Sequence, residues 1–254
     1  MGSASFHVVA GFLPLLKRLG IASAEDAFQT PHAKVWRSIR ERENATIDPS
    51  DGSPRLHLKR DKLNLGTTGA ASEGAGILTL AAHGLPTATL VAYGTLPDAR
   101  SFAITEDLCG FAPADQLIRA GTPFNVLAPA LGAVAGRLHQ QRLFHQDLYL
   151  CHFFAKIDGS TVDVRMIDLA RVLDRPFCPA RWHVKDLAQL VYSTRDLPIT
   201  SGQLDSFFDH YSAAYGAPIT PRMRRLIDFK AGRIARHDIE LHRRQPGRDV
   251  SIPE

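Results

Sequence analysis

The chain has 254 residues, of which 44% are hydrophobic and 22% are charged. This composition is typical of globular domains and excludes disordered and collagen-like chains. The formal net charge of +4 is confined to residues 221–254, which hold nine basic and five acidic side chains. We therefore do not expect a nucleic-acid partner for the chain as a whole, and a basic surface is expected only in the C-terminal segment.

The sequence also favours a cytoplasmic protein. No stretch of about 18 apolar residues is present, so no transmembrane helix is expected. The apolar run at residues 6–16 lacks a basic flank and a convincing cleavage site, which argues against a signal peptide. Three cysteines, an odd number without a CxxC motif, favour a reducing compartment.

The first part of the chain is predicted to be rich in strands, with one internal helix. Apolar and polar residues alternate in Arg55–Lys59, as they do in a half-buried strand, and Gly84 suits the end of a helix. The predicted elements are a short helical region at 12–28, strands at 35–40 and 55–59, a helix at 71–83, and strands at 88–93 and 101–105.

From residue 110 onward the pattern becomes helical, interrupted by one hairpin. Apolar residues recur at spacings of three and four through residues 124–138, which predicts an amphipathic helix. Asp158-Gly159 between two apolar runs predicts a hairpin. Its strands are placed at 151–157 and 162–167, and further helices at 182–194, 202–215 and 221–242. The layout predicts a strand-rich N-lobe at 1–107 and a mainly helical C-lobe at 108–254, with the site expected in the cleft between them.

Two acidic residues flank the predicted hairpin. Asp147 lies in the segment His145–His152 before the hairpin, and Asp168 follows it directly. This arrangement resembles the catalytic loop and metal-binding segment of protein-kinase-like enzymes. Phosphoryl transfer explains both residue types. One Asp can orient the acceptor hydroxyl and take its proton, while the other holds the divalent ion that bridges the ATP phosphates.

The same resemblance to kinases indicates further site residues. Lys59 would neutralise phosphate charge, and Glu73, in the predicted helix that follows, would position this lysine. Each residue also has a simpler interpretation, Lys59 as a solvated strand residue and Glu73 as a carboxylate that stabilises the first turn of any helix. Residues 101–108 are predicted to run from a strand into a hinge, where the carbonyl of Glu106 and the N–H of Leu108 would bind adenine.

A more specific resemblance lies in the motif H-x-D-x-Y-x-C-H-F, which is formed by His145, Asp147, Tyr149, Cys151, His152 and Phe153. The motif resembles the lipopolysaccharide kinase family, whose members phosphorylate heptose or Kdo sugars of the lipopolysaccharide inner core. The resemblance spans residues 55–215 and includes Leu58–Arg60, Gly84–Gly94, Ala103–Leu108 and Ile167–Arg171 in the same order. It implies an α+β, protein-kinase-like two-lobed fold, ATP as the phosphate donor, and Mg²⁺ as the metal, with Mn²⁺ as an alternative.

Several positions depart from the protein-kinase pattern. Gln146 replaces the usual Arg, which argues against control by a phosphorylated activation loop. The 17 residues between Asp168 and Asp186 are few for docking a polypeptide and favour a small or glycan acceptor. His152, which the family shares, stands where protein kinases place Asn, and it either binds the metal or hydrogen-bonds to phosphate or to the catalytic Asp. No glycine-rich loop is visible, and residues 40–46 are its expected replacement.

Supporting roles are expected for residues around these positions. Asp186 is predicted to brace the catalytic loop from a helix, and His145 to hold the loop backbone by hydrogen bonds. The basic side chains of the last helix either keep its outer face in solvent or attract an anionic membrane or a phosphorylated glycolipid. They are Arg222, Arg224, Arg225, Lys230, Arg233, Arg236, Arg243 and Arg244.

The function indicated by these residues is ATP-dependent phosphoryl transfer to a sugar hydroxyl of the lipopolysaccharide core, heptose or Kdo. The enzyme would be cytoplasmic, with peripheral contact at the inner face of the inner membrane as an option. Two alternatives stay open. One is a kinase that acts on another small-molecule or protein hydroxyl, and the other is a catalytically impaired pseudokinase that serves as a binding module.

Overall fold

A computed structural model describes residues 3–49 and 51–244 of the chain. The described residues form two compact units. The first comprises the residues up to Gly110 together with Ile167–Arg171, and the second comprises Phe111–Met166 and the residues from Val172 onward. The short segment that carries Asp168 therefore belongs to the first unit, although it follows the hairpin of the second unit directly in sequence.

The first unit is built on a six-stranded antiparallel sheet with the strand order β1-β5-β6-β4-β3-β2. Its strands are β1 (Ser5–Val8), β2 (Ala33–Ser38), β3 (Arg42–Ile47), β4 (Leu56–Asp61), β5 (Leu90–Thr95) and β6 (Ser101–Glu106). Its helices are α1 (Leu13–Arg18), α2 (Ala24–Gln29) and α3 (Ala70–Ala82). On one face of the sheet, Leu56 and Leu58 of β4 join a core with residues of α1 and α2. Alternation along the strand turns His57 and Lys59 to the opposite face.

The structure corrects one expectation in this unit. Residues 40–46, expected as a loop that covers the phosphates, lie mostly in strand β3. Each residue of β3 pairs with one of β4, and Ala45 and Ile47 enter the core, so burial and the sheet ladder both hold the segment extended. The connection between β2 and β3 is reduced to the turn at residues 39–41.

The second unit is mainly helical. Its helices are α4 (Ala114–Arg119), α5 (Phe124–Gln140), α6 (Pro179–Ser193), α7 (Ser201–Tyr215) and α8 (Pro221–Arg244). Its short strands are β7 (Ala112–Pro113), β8 (Leu143–Phe144), β9 (Phe153–Asp158), β10 (Thr161–Met166) and β11 (Leu173–Asp174). The predicted hairpin is confirmed as β9 and β10, which turn at Gly159 in the left-handed region.

The helices of the second unit pack closely. The predicted apolar face of α5 is buried, and α5 packs along α7. A Cβ at Gly132 of α5 would lie 2.7 Å from the carbonyl oxygen of Phe207, so glycine is what allows the two backbones to approach. No helix among the described residues combines the length and the apolar composition that crossing a membrane requires. The strand-rich first unit and the mainly helical second unit confirm the expected α+β fold class.

Candidate active site

The first unit brings three of the predicted site residues together, with Lys59 between two carboxylates. The Nζ atom of Lys59 on β4 donates a hydrogen bond to Oε2 of Glu73 on α3 and lies 3.6 Å from Oδ1 of Asp168. The side chains of Lys59 and Glu73 are only 12% and 11% exposed, whereas that of Asp168 is 35% exposed. Lys59 is therefore not a solvated strand residue, and Glu73 does more than stabilise its helix.

The electrostatics of this group keep the lysine charged. Burial of the Lys59 ammonium works against its charge, but the carboxylates of Glu73 and Asp168 outweigh burial, and the pKa of Lys59 is raised above its usual value. Asp168 itself has a φ of 57°, in the left-handed region that Asp tolerates better than most residues. The result is a fixed positive charge beside a carboxylate that is accessible to solvent.

A third carboxylate, which the sequence reasoning missed, fixes the helix that carries Glu73. Asp61 at the end of β4 is fully buried, and its Oδ2 accepts a hydrogen bond of 2.6 Å from the N–H of Ala70 in the first turn of α3. The hydroxyl of Ser101 on β6 donates to the same Asp61 oxygen and accepts from the N–H of Ala71. These side chains satisfy helix N–H groups that would otherwise have no partner. They tie the start of α3 to the sheet beside Lys59.

The predicted hinge is anchored by backbone hydrogen bonds. Glu106, the last residue of β6, donates its N–H to the carbonyl of Thr89 at 2.9 Å, and the next residue, Asp107, donates to the carbonyl of Arg55 at 2.8 Å. Glu106 also lies opposite Leu56 of β4 in the sheet register. The roles of Glu106 and Leu108 in adenine binding stay predictions, but β6, which ends at Glu106, is adjacent to the strand of Lys59.

The second unit holds the predicted catalytic loop. Asp186 of α6 is fully buried and accepts hydrogen bonds from the N–H groups of His145, at 2.8 Å, and Gln146, at 2.9 Å. Its Oδ2 also lies 3.3 Å from Nε2 of His139. Two backbone N–H groups directly before Asp147 are thus held by one buried carboxylate. This bears out the predicted bracing role of Asp186.

A glutamine that the sequence reasoning missed holds Asp147 directly. The buried amide of Gln189 on α6 donates from Nε2 to Oδ1 of Asp147 at 3.2 Å and to the hydroxyl of Tyr149 at 3.2 Å. Its Oε1 accepts from the N–H of Leu148 at 3.2 Å, which fixes the amide orientation. Its spacing of three residues from Asp186 on one helix was the available signal, because residues at i and i+3 share a helix face.

His152, predicted as a metal-side residue, helps to shape the same loop. Its Nδ1 donates to the backbone carbonyl of Asp147 at 2.6 Å, and its ring stacks on that of His145 with centroids 5.7 Å apart. His145 in turn accepts a hydrogen bond of 3.3 Å at Nδ1 from the N–H of Asp147. Between them, the two histidines hydrogen-bond to both the N–H and the carbonyl of Asp147. Metal binding by His152 stays a prediction.

Comparisons with known proteins define the fold and the family of the chain. A solved structure of WaaP in complex with acyl carrier protein matches the chain with a TM-score of 0.68 and 23% sequence identity, over 94% of this chain and 98% of that one. This likeness confirms the expected protein-kinase-like fold. The family model described as "Lipopolysaccharide kinase (Kdo/WaaP) family" matches residues 52–211. The chain belongs to the lipopolysaccharide kinase (Kdo/WaaP) family, which confirms the resemblance carried by the catalytic-loop motif.

Two curated relatives share part of their length with the chain. The lipopolysaccharide core heptose(I) kinase WaaP of Pseudomonas aeruginosa is 33% identical over 153 residues, which are 52% of this chain and 55% of that protein. WaaP of Escherichia coli is 30% identical over 125 residues, which are 45% of this chain and 47% of that protein. The chain thus spans about half the length of the curated relatives it matches.

Proposed function

We propose that the protein is an ATP-dependent kinase that transfers the γ-phosphate to a sugar hydroxyl of the lipopolysaccharide core. The observation that carries this proposal is the Lys59–Glu73–Asp168 group, in which a buried, charged ammonium stands between two carboxylates. A cation held in this way by a helix glutamate, beside a solvent-accessible aspartate, fits a phosphate donor and its divalent ion. The membership of the lipopolysaccharide kinase family supports the same reaction class.

The donor set fits ATP with Mg²⁺, and Mn²⁺ is an alternative. Mg²⁺ is usually held by one or two carboxylates together with substrate phosphates, and the Asp168 carboxylate suits that role. When bound, the ion neutralises charge on the phosphate oxygens. Lys59 supplies a second, fixed positive charge for the phosphates, and Glu73 keeps its ammonium in place. Glu106 and Leu108 would anchor adenine through their backbone groups.

Asp147 is proposed to act on the acceptor. Its carboxylate would orient the sugar hydroxyl and take the proton as that oxygen bonds to the γ-phosphorus. The bond from the γ-phosphorus to the bridging oxygen breaks, and ADP leaves with the electron pair. Gln189 holds Oδ1 of Asp147 through its amide, and Asp186 holds the loop backbone before it. A base held in this way loses little orientational freedom during the reaction.

The acceptor proposed first is a heptose of the inner core. This choice is supported by the two curated relatives, both named as lipopolysaccharide core heptose(I) kinases. Kdo is the second acceptor, because the matching family model covers Kdo and WaaP kinases. The two alternatives, a kinase for another small-molecule or protein hydroxyl and a pseudokinase, would require that the protein transfers phosphate to neither sugar.

The last helix supports a peripheral position on the inner face of the inner membrane. Arg222, Arg225, Phe229, Arg233 and Arg236 recur at spacings of three and four and are exposed, with Phe229 64% exposed. The opposite face of α8 is buried and packs against α6. Exposed arginines around one aromatic residue suit an anionic membrane surface, at ~1 kcal/mol for each basic residue near it. Residues 245–254 of the basic segment lie outside the described residues.

The proposal is tested by phosphate transfer to a panel of acceptors. The purified protein is incubated with γ-labelled ATP, Mg²⁺ and core oligosaccharides that end in heptose or in Kdo, with and without acyl carrier protein, since one WaaP structure contains it. We expect label on heptose-containing acceptors, and none when EDTA removes the metal. A protein that binds ATP but labels neither sugar would contradict the acceptor class, and one that binds no ATP would contradict the kinase itself.

A further inference from the structure

An aromatic pair lies on the same sheet face as the phosphate-site lysine. Alternation along β4 places His57 and Lys59 on one face, opposite the buried Leu56 and Leu58. The indole of Trp36 on β2 contacts the imidazole of His57, with ring centroids 5.8 Å apart and a tilt of 44°. Trp36 is 44% exposed, so the aromatic pair presents part of its surface to solvent.

Strand alternation places Trp36 on this face, because its neighbour Val35 pairs with Ala45, whose side chain enters the core on the opposite face. The pairing between β2 and β3 shifts register between Val35 and Arg37, and Trp36 is the extra residue. A bulge locally re-aims side chains and is frequent beside functional sites. The bulge leaves Trp36 without a direct pairing partner in the β2–β3 register, and its indole reaches across β3 to His57 of β4.

The sheet register orders the parts of a nucleotide site along this face. His57 lies opposite Thr105 of β6, one residue before the predicted hinge residue Glu106. Lys59, the phosphate residue, lies opposite Ala103 and two residues, or about 7 Å, further along β4. Along β4, His57 therefore lies between the residue opposite Glu106 and the phosphate residue Lys59, and Trp36 contacts His57 from β2.

The imidazole of His57 is suited to stacking on a base. Burial first, and then the charge of Lys59, lower the pKa of His57 to about 4. The ring is therefore neutral at physiological pH and adds no second positive charge next to the lysine. Both rings can then present flat, uncharged faces to a heterocycle, and aromatic side chains stack on bases of any type.

We propose that Trp36 and His57 form the stacking surface for the purine base of ATP. This inference rests on the proposed function and extends it. It assigns the affinity for the base to a residue pair outside the Lys59–Glu73–Asp168 group and predicts that nucleotides bind more tightly than bare polyphosphate. The contact of the base with Trp36 also gives the binding step an optical signal.

Fluorescence titration tests the inference without any need for catalysis. The chain has two tryptophans, Trp36 and Trp182, so the variant Trp182→Phe reports on Trp36 alone. With Mg²⁺ present, ATP should change the Trp36 emission, whereas inorganic tripolyphosphate should bind without changing it. Calorimetry should show that Trp36→Leu lowers the affinity for ATP about tenfold or more and leaves the affinity for tripolyphosphate unchanged.

A matched control separates stacking from a general change at the sheet edge. Val35 is the exposed neighbour of Trp36 and pairs with Ala45, whose side chain enters the core on the opposite face. Val35→Ala should leave both affinities unchanged, and thermal melting should show all variants folded. If Trp36→Leu lost affinity equally for ATP and for tripolyphosphate, or lost affinity for neither, the stacking proposal alone would be overturned. A wild-type protein that binds neither ligand would overturn the proposed function and the stacking surface together.

Discussion

The contact between α3 and the segment after Asp168 leaves no room for a side chain on one helical residue. A Cβ at Gly76 would overlap the carbonyl oxygen of Leu169 and lie 3.0 Å from the Cβ of Leu169. These are backbone and backbone-proximal atoms, so they cannot swing aside as the end of a long side chain could. Gly76→Ala must therefore displace either α3 or the Ile167–Arg171 segment, and both carry residues of the Lys59–Glu73–Asp168 group.

The size of the effect follows from two opposing contributions. In an unobstructed helix interior, replacing Gly by Ala stabilises by roughly 0.5–1 kcal/mol. Overpacking a tight contact typically costs ~1–3 kcal/mol. We expect Gly76→Ala to lower the free energy of unfolding by about 0.5–2 kcal/mol. The displaced Asp168 should lower kcat/KM on the order of 10²-fold, as small misplacements of reacting groups do.

Urea unfolding and steady-state kinetics measure the two effects, and α8 offers a matched control. At Gly232 the nearest atom to an added Cβ is a guanidinium nitrogen of Arg236, 3.7 Å away, so nothing obstructs the substitution. Gly232→Ala should therefore stabilise the protein by about 0.5–1 kcal/mol and leave kcat/KM unchanged. If Gly76→Ala proved as stable and as active as Gly232→Ala, the close contact between α3 and the Asp168 segment would be refuted.

Three further predictions concern the second unit. Gln189→Met should lower kcat about 10- to 100-fold with little change in ATP affinity, because a hydrogen bond to the Asp147 carboxylate is lost. In an Asp147→Asn background the same substitution should have almost no effect on kcat. Equal losses of kcat in both backgrounds would contradict the positioning role of Gln189. His183 is buried, and burial first, then His139, lower its pKa to about 3, so the unfolded chain takes up the proton as the pH falls below about 6.5. On lowering the pH from 6.5 to 5, His183 should reduce the free energy of unfolding by ~2 kcal/mol. Urea titrations at the two pH values should show this reduction in the wild type and not in His183→Phe. Equal reductions in the two proteins would refute a neutral His183 in the folded state. The double variant Arg233→Glu and Arg236→Glu should weaken binding to anionic vesicles more than tenfold in sedimentation assays and leave the turnover of a soluble acceptor unchanged. Undiminished vesicle binding would refute membrane contact through the exposed arginines of α8.

Much of the fold was accessible from local patterns in the sequence. Three features depend only on neighbours in sequence. They are the spacing of three and four residues between apolar positions in α5, the Asp-Gly turn of the β9–β10 hairpin, and Pro221 at the start of α8. Strand β3 was not separated from its surroundings, because Arg42, Glu43 and Asn44 are polar. It becomes a strand through pairing with β4 and through the burial of two apolar residues at its end.

The candidate site also contains residues that could be named from the sequence and residues that could not. Lys59, Glu73 and Asp168 could be named from residue type and order, since phosphoryl transfer needs a cation, its positioning carboxylate and a metal-side carboxylate. Asp61 could not be named, because its importance comes from side-chain contacts with segments further along the chain, and the one local signal for Gln189 was its spacing of three residues from Asp186. The chain contains many buried or half-buried Asp and Gln residues, and only tertiary packing shows which of them face a helix start or a catalytic carboxylate.

The pairing of Trp36 with His57 was equally hidden from the sequence. It depends on the strand order β4-β3-β2 and on the register of β2, in which a bulge falls at Trp36. Register and bulges are set by long-range pairing, and a shift of one residue would move Trp36 to the other face of the sheet. A sequence pattern with a period of two cannot reveal this position by itself.

The central claim is that Asp147 accepts a proton while a site built on Lys59 and Asp168 holds ATP. It is tested most directly by a single-turnover measurement of labelled γ-phosphate transfer to a heptose-containing core acceptor, for the wild type and for Asp147→Asn at matched ATP occupancy. The account predicts that Asp147→Asn binds ATP with unchanged affinity and transfers phosphate about 10²–10⁴-fold more slowly. Transfer at the wild-type rate by Asp147→Asn would contradict it.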